Sequence, residues 1–202
     1  MPEFILDRGS PEAARQFQAL DSFTQGYIEA MFFTDEEQLC EESGREMPAV
    51  AVDMATMETR FVGGNSLGFG DLAPDTLARI IADCQAFQSQ HVQLLTQAYA
   101  RDGYDAAAAG RDFWYTRNGH GVGYWDRKEL EDDSAAYEAL TAEMVAASNG
   151  ANTPANNAAW DAALAKRKAL SANSLGERLS AAARQCGNVD SYVGDDGLIY
   201  LG

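Results

Sequence analysis

Histidine and cysteine, the residues that most metal sites and many nucleophilic sites require, are scarce in this sequence. Its 202 residues include only two histidines and three cysteines, and no C-x-x-C pair occurs. Structural zinc sites need closely spaced ligands of these types, so we expect no metal ion and no cofactor. Cys40, Cys84 and Cys186 are odd in number and far apart, which is typical of reduced thiols in a cytoplasmic protein.

Positive charge is also scarce, with 15 Lys and Arg against 31 Asp and Glu and a formal net charge of −16. The clustered bases are limited to Lys166-Arg167-Lys168, so direct binding to DNA or RNA phosphates is not expected. The sequence has no long apolar run, and Met1–Asp7 contains no base. We therefore expect neither an export signal nor a membrane segment, and a cytoplasmic location.

What the chain has in excess is carboxylate, which attracts basic partners. The simplest reason for such acidity is solubility or a salt-tolerant lifestyle. The alternatives are imitation of the phosphate track of DNA and an acidic interaction surface of another kind. Two acidic runs, Asp35–Glu46 and Asp126–Asp133, are the candidate surfaces. The predicted partner-binding carboxylates are Asp35, Glu36, Glu37, Glu41, Glu42, Glu129, Glu131, Asp132 and Asp133.

The most distinctive stretch, Asp112–Arg127, reads DFWYTRNGHGVGYWDR. Asn-Gly between two aromatic runs predicts a β-hairpin, because a type I′ turn needs two residues of positive φ. Its register stays open: a two-residue turn sets Trp114 opposite Gly123, whereas a four-residue loop pairs Trp114 with Trp125. The candidate contact residues for a partner or ligand are Arg117, Asn118, His120, Asp126 and Arg127.

His120, with Asp126 and Arg127 nearby, offers groups for acid–base chemistry. No G-x-S-x-G motif occurs, and no cysteine lies close to it in sequence. Asn118–Gly121 is more simply a turn whose glycines adopt positive φ. We therefore assign no catalytic residue and expect a protein that is not an enzyme.

The rest of the chain predicts helices with few, short strands. Apolar spacing and capping residues favour helices beginning at Ser10-Pro11 and over Ser22–Phe33, Ala73–Asp102 and Leu175–Gln185. Marginal strands are expected over Val50–Val52 and Glu58–Val62, and a C-terminal hairpin over Asp190–Val193 and Leu198–Tyr200.

These elements predict an α+β fold in a single domain, residues 1–202. Its small antiparallel sheet combines the central hairpin with the C-terminal hairpin and packs against helices. Residues 129–173 differ in composition, being rich in Ala and Asn, and predict a helical insertion. We expect this insertion to be an αα-hairpin built from Ser134–Ala147 and Pro154–Leu170.

The segment Phe113–Arg127 resembles one found in uncharacterised small proteins of phages and prophages. The resemblance extends to Phe23–Ala30, Asp83-Cys84 and Tyr192–Gly197, but not clearly to Glu129–Asn173. It implies a viral or mobile-element context, and hence the cytoplasm of the host cell. It brings no established activity with it.

The acidity and this resemblance together predict a non-enzymatic, phage-type effector. Such a protein would bind and inhibit a host nucleic-acid-handling defence protein, such as a restriction or CRISPR complex, through that partner's basic or nucleic-acid-binding surface. The alternatives are a small enzyme or ligand-binding protein centred on the Asn118–His120 loop, and a structural or housekeeping phage protein. The sequence leaves the oligomeric state open.

Overall fold

The computed structural model describes residues 6, 8–46, 49–52, 59–62, 67–131, 134–149 and 153–202. The predicted contact residues Asp132 and Asp133, and Glu58 of a predicted strand, lie outside these ranges. The helices are α1 (Pro11–Gln18), α2 (Ser22–Ser43), α3 (Pro74–Gln90), α4 (Val92–Tyr99), α5 (Ala106–Asn118), α6 (Ser134–Asn149), α7 (Pro154–Ser171) and α8 (Leu175–Gln185). The strands are β1 (Ala49–Val52), β2 (Thr59–Val62), β3 (Ser191–Val193) and β4 (Ile199–Leu201).

The fold is mostly helical with small antiparallel β-structure, which confirms the α+β class in its coarse form. β1 and β2 lie where the two marginal strands were predicted and pair with each other, and β3 pairs with β4 in the C-terminal hairpin. In that hairpin Tyr192 lies opposite Tyr200, and their rings stack with centroids 5.8 Å apart. The hairpin joins the body where the Ala73 amide donates to the Ile199 carbonyl.

The predicted central hairpin is wrong, because residues 112–118 form the last two turns of α5. The Asp105 side chain caps the start of this helix by accepting from the Ala108 amide, and an alanine run follows. Gly119 then ends the helix in the left-handed conformation, with φ of 71°. An Asn-Gly pair suits a helix C-cap as well as a type I′ turn. The sheet therefore lacks the central hairpin that the sequence predicted for it.

Helix lengths also differ from those predicted. The expected helix over 73–102 is two helices, since His91 leaves helical geometry (φ −117°, ψ 25°) between α3 and α4. α2 continues through the acidic segment as far as Ser43, where Gly44 ends it at φ 66°. The acidic run is therefore largely helical.

The core is centred on the crossing of α2 and α5, which pack more extensively on each other than any other two helices in the described ranges. Glycines make this close approach possible. A β-carbon on Gly26 would overlap the Ala107 carbonyl, and one on Gly110 would overlap the Phe23 carbonyl. Across the crossing Phe113 contacts Phe23 and Tyr27, with ring centroids 5.8 and 5.5 Å apart.

α6 and α7 pack on each other, and both helices lie where the sequence predicted them. Their buried side chains, Met144 and Ala163, lie outside the main core cluster. Leu130, just before the pair, belongs to that core, and its Cβ lies against Gly176 of α8. That residues 129–173 are a helical insertion within the domain stays a prediction.

Replacing Gly26 or Gly110 with alanine should destabilise the fold by about 3 kcal/mol or more, since the new methyl group meets backbone that cannot move aside. Helix propensity alone predicts the opposite sign. Urea unfolding followed by circular dichroism measures the change. Gly44→Ala is the control: nothing lies within 4 Å of its β-carbon, so the cost is that of the positive φ, about 1 kcal/mol. A Gly26→Ala protein as stable as wild type would contradict the close crossing.

Deleting residues 132–172 and joining Glu131 to Asn173 by a short Gly-Ser linker should leave a cooperatively folded protein. The removed helices bury their side chains outside the core, and the contact of Leu130 with Gly176 holds the flanks together. Thermal unfolding by calorimetry tests this. Leu130→Ala in the full chain should lose about 2–5 kcal/mol, because that side chain is 1% exposed. A non-cooperative transition in the deletion would show that α6 and α7 are part of the core.

Candidate functional site

The second half of α2 carries five of the predicted partner-binding carboxylates, and the structure divides them in two groups. Asp35 and Glu42 hold β3 in place: the Ser191 hydroxyl donates to Asp35, and the Val193 amide donates to Glu42 at 2.8 Å. Glu36, Glu37 and Glu41 make no such bond to β3 within the described chain. Glu37 and Glu41 are exposed and Glu36 is half-buried.

The ionisation of these carboxylates follows from their surroundings. Burial raises the pKa of Glu36 above its usual value. Hydrogen bonds from the Gln38 side chain and the Val193 amide lower the pKa of Glu42. Glu42 is therefore fully charged at neutral pH while it anchors β3.

The base that neighbours this segment does not neutralise it. Arg45 turns to Asp71, 3.0 Å away, and forms an ion pair that is about three-quarters shielded from solvent on both sides. The exposed carboxylates of α2 consequently keep their charge uncompensated by Arg45.

The C-terminal hairpin adds carboxylates that the sequence analysis missed. Asp190, Asp195 and Asp196 are exposed, on or beside the hairpin whose strand β3 packs on α2. Asp196 accepts bonds from the Leu198 amide and the Tyr200 hydroxyl, and these lower its pKa. We call Glu36, Glu37, Glu41, Asp190, Asp195 and Asp196 the acidic face. The packing of β3 on α2 brings its two halves together, and no local sequence signal reveals this packing.

Glu129 and Glu131 are placed by another part of the molecule. They lie on either side of Leu130, which ends a short 3₁₀ turn (Lys128–Leu130) and contacts Gly176 of α8. Glu129 is exposed and Glu131 is half-buried. The two predicted acidic runs are therefore held by different helices.

Arg117, predicted as a contact residue, lies inside the protein with its side chain 3% exposed. Its guanidinium donates to Asp83 and to the Tyr27 hydroxyl, both at 3.1 Å, and to the Gly187 and Cys186 carbonyls. It thereby ties α5 to α3, α2 and the chain that leads into β3. A partner at the surface would reach little of this side chain.

Arg127 is also engaged internally, with the fully buried carboxylate of Asp112. Its Nε lies 2.9 and 2.8 Å from the two Asp112 oxygens, and Nη2 adds a further bond. The Tyr104 hydroxyl donates to the same carboxylate at 2.8 Å. Burial, and then the charge of Asp112, raise the pKa of Tyr104. The conspicuous charges of this stretch are thus structural.

The remaining predicted contact residues lie at or near the surface. The Asn118 side-chain oxygen accepts from the Val189 amide at 2.9 Å, so this residue fixes the approach to β3. His120 is exposed, with its ring 6.0 Å from Trp114 and 6.3 Å from Tyr115. Asp126 is exposed. His120 and Asp126 remain accessible to a partner.

A cleft of about 380 Å³ opens beside Arg117, between α3 and the segment that follows α8. Polar side chains supply much of its lining, among them Arg79, Asp83, Gln90 and Gln185. Cys186 also borders it, and burial raises the pKa of that thiol. No histidine is part of this lining, so the cleft does not pair its thiol with an imidazole base.

The chain matches no family model, no curated protein and no solved structure. None of the helices in the described ranges is long and apolar enough to cross a membrane. Among the described residues, no three His, Cys, Asp or Glu side chains gather into a group able to hold a metal ion.

Replacing Arg127 with methionine should destabilise the protein by about 3–5 kcal/mol, because it leaves the Asp112 carboxylate buried with Tyr104 alone. Chemical denaturation at neutral pH measures the loss. Arg15→Met is the matched control, since Arg15 pairs with Glu12 on the open surface and should change stability by less than about 1 kcal/mol. Equal effects of the two variants would show that Asp112 is not a buried charge.

Proposed function

We propose that this protein is a non-enzymatic effector that binds the basic surface of a partner protein through its acidic face. The observation that carries the proposal is the placement of charge on α2 and the C-terminal hairpin. There, carboxylates from two distant parts of the chain lie on elements that pack on each other, while the neighbouring base Arg45 is paired with Asp71. Such a surface attracts and orients a cationic partner.

Ion pairs elsewhere in the protein increase the excess of negative over positive charge at the surface. Among the described residues, four arginines are held by carboxylates in partly buried pairs, and so contribute little positive potential at the surface. These pairs are Arg45–Asp71, Arg111–Glu29, Arg117–Asp83 and Arg127–Asp112. With a net charge of −16, the outward field is dominated by the unpaired carboxylates.

The class of partner is inferred from the kinds of protein that present a large basic surface. Proteins that handle nucleic acid present clustered Lys and Arg to phosphates, and a carboxylate surface competes for the same groups. Together with the resemblance to phage proteins, this supports a host defence protein, of the restriction or CRISPR kind, as the target. Occupying its nucleic-acid site would inhibit it.

The double reversal Glu37→Lys with Glu41→Lys should weaken partner binding at least about tenfold, because it places like charges against a basic surface. Tagged protein is first used to capture partners from bacterial lysate at about 50 mM salt and release them at about 500 mM, where surface attraction is screened. The released protein is then titrated against each variant.

The control is Glu138→Lys with Glu143→Lys, which makes the same charge change on exposed positions of α6. It should bind close to wild type. If both double variants lose affinity equally, net charge rather than the acidic face governs binding. If no protein is released by salt from wild type, the proposed function fails.

A further inference from the structure

The segment between α5 and the Lys128–Leu130 turn holds apolar side chains out to solvent. Trp125 is 45% exposed and Val122 is 38% exposed. His120 and Asp126 beside them are exposed as well. When the backbone beneath an exposed aromatic side chain is fixed, its exposure does not come from chain flexibility. Such a side chain then indicates a surface for binding.

The backbone on the N-terminal side of Trp125 is fixed by Tyr124, which is fully buried. The Tyr124 hydroxyl donates to the Ala109 carbonyl at 2.7 Å, and its amide donates to the Thr116 hydroxyl at 3.1 Å. Gly123, at φ 144°, packs so closely on Thr116 that a β-carbon would overlap the hydroxyl. These contacts therefore hold the backbone before Trp125 in one conformation.

The C-terminal side is fixed by the ion pair of Arg127 with buried Asp112. The Asp126 amide also donates to the Gly123 carbonyl at 3.0 Å, which closes a 3₁₀ turn over Tyr124–Asp126. Trp125 thus stands between two anchored neighbours while its own ring faces water. A side chain presented in this way has little backbone entropy left to lose on binding.

We propose that Trp125, with the exposed Val122 three residues before it, is the apolar anchor that enters a pocket on the protein partner of the acidic face. This proposal rests on the proposed function. Tryptophan is enriched among the few interface residues that dominate affinity, and such residues act from a rigid, desolvated centre with polar groups around them. The loop has this composition, with an apolar pair bordered by charge.

The charged residues that follow Trp125 indicate which kind of partner this loop binds. Asp126, Glu129 and Glu131 follow Trp125 within six residues, against the single exposed base Lys128, since Arg127 is engaged with Asp112. A pocket with a basic rim complements this border. A second copy of this chain, at net −16, and an anionic membrane are both repelled by it.

The test titrates the salt-released partner protein with wild type, Trp125→Ala and Trp160→Ala. Trp160 is 37% exposed on α7 and serves as the matched control. Trp125→Ala should weaken binding about thirty-fold or more, the loss typical of an anchor residue, and Trp160→Ala less than about three-fold. Both variants should still unfold cooperatively and with similar small losses of stability, because each side chain is only partly covered.

The outcomes separate this inference from the function on which it rests. If Trp125→Ala binds as wild type while the Glu37→Lys, Glu41→Lys protein does not, the anchor is wrong and the acidic face stands. If wild type releases no partner in salt, both fail. Self-association that Trp125→Ala abolishes on a sizing column would assign the loop to a second copy. A Trp125-dependent blue shift with anionic lipid vesicles would assign it to a membrane, and either result overturns the proposal.

Discussion

The close crossing of α2 and α5 is the constraint on which the rest of this structure depends. Gly26 and Gly110 let the two backbones meet with no side chain between them. Because the axes are this close, aromatic side chains from both helices interleave, and the Trp114 indole reaches the Thr34 hydroxyl at 2.9 Å. The crossing also fixes the end of α5, and with it the position of Arg117 against α3 and the path of the loop that follows. An alanine at either glycine would shift all of these together.

Charge in this molecule is sorted by depth. Arginines near the core are paired with carboxylates and satisfy each other there, as Arg117 does with Asp83 and Arg127 with Asp112. Many of the remaining carboxylates are exposed, among them most of those that form the acidic face on α2 and the C-terminal hairpin. A buried pair of this kind contributes less to net stability than to specifying one arrangement of helices, since desolvation offsets much of its attraction. The surface field and the internal pairs are therefore two consequences of one distribution of Asp, Glu and Arg.

How much of this was predictable from sequence depends on whether the signal is local. Ser10 and Ser174 cap the helices that follow them, and the turn before β4 forms its hairpin, because those contacts span a few residues. The predicted hairpin over Asp112–Arg127 was wrong because Asn118-Gly119 suits both a β-turn and the end of a helix. The residue that favours the helix is its N-cap, Asp105, which lies upstream of this stretch. The candidate site was predictable only in part. Asp35 and Glu42 accept hydrogen bonds from residues of β3 that lie more than 150 positions later in the sequence. No pattern in either segment predicts these bonds.

Native-state hydrogen exchange, read residue by residue by NMR, shows whether the crossing of α2 and α5 is the most stable part of the fold. We expect the slowest amides to lie where these helices cross, around Gly26 and Gly110, and to exchange only by global unfolding. Amides of α6 and α7 should exchange faster through local opening, since those helices bury their side chains outside the core. If the amides of α5 exchange as fast as those of α6 and α7, the crossing does not organise the fold. The positions of Trp125 and its loop, which depend on that crossing, would then be contradicted as well.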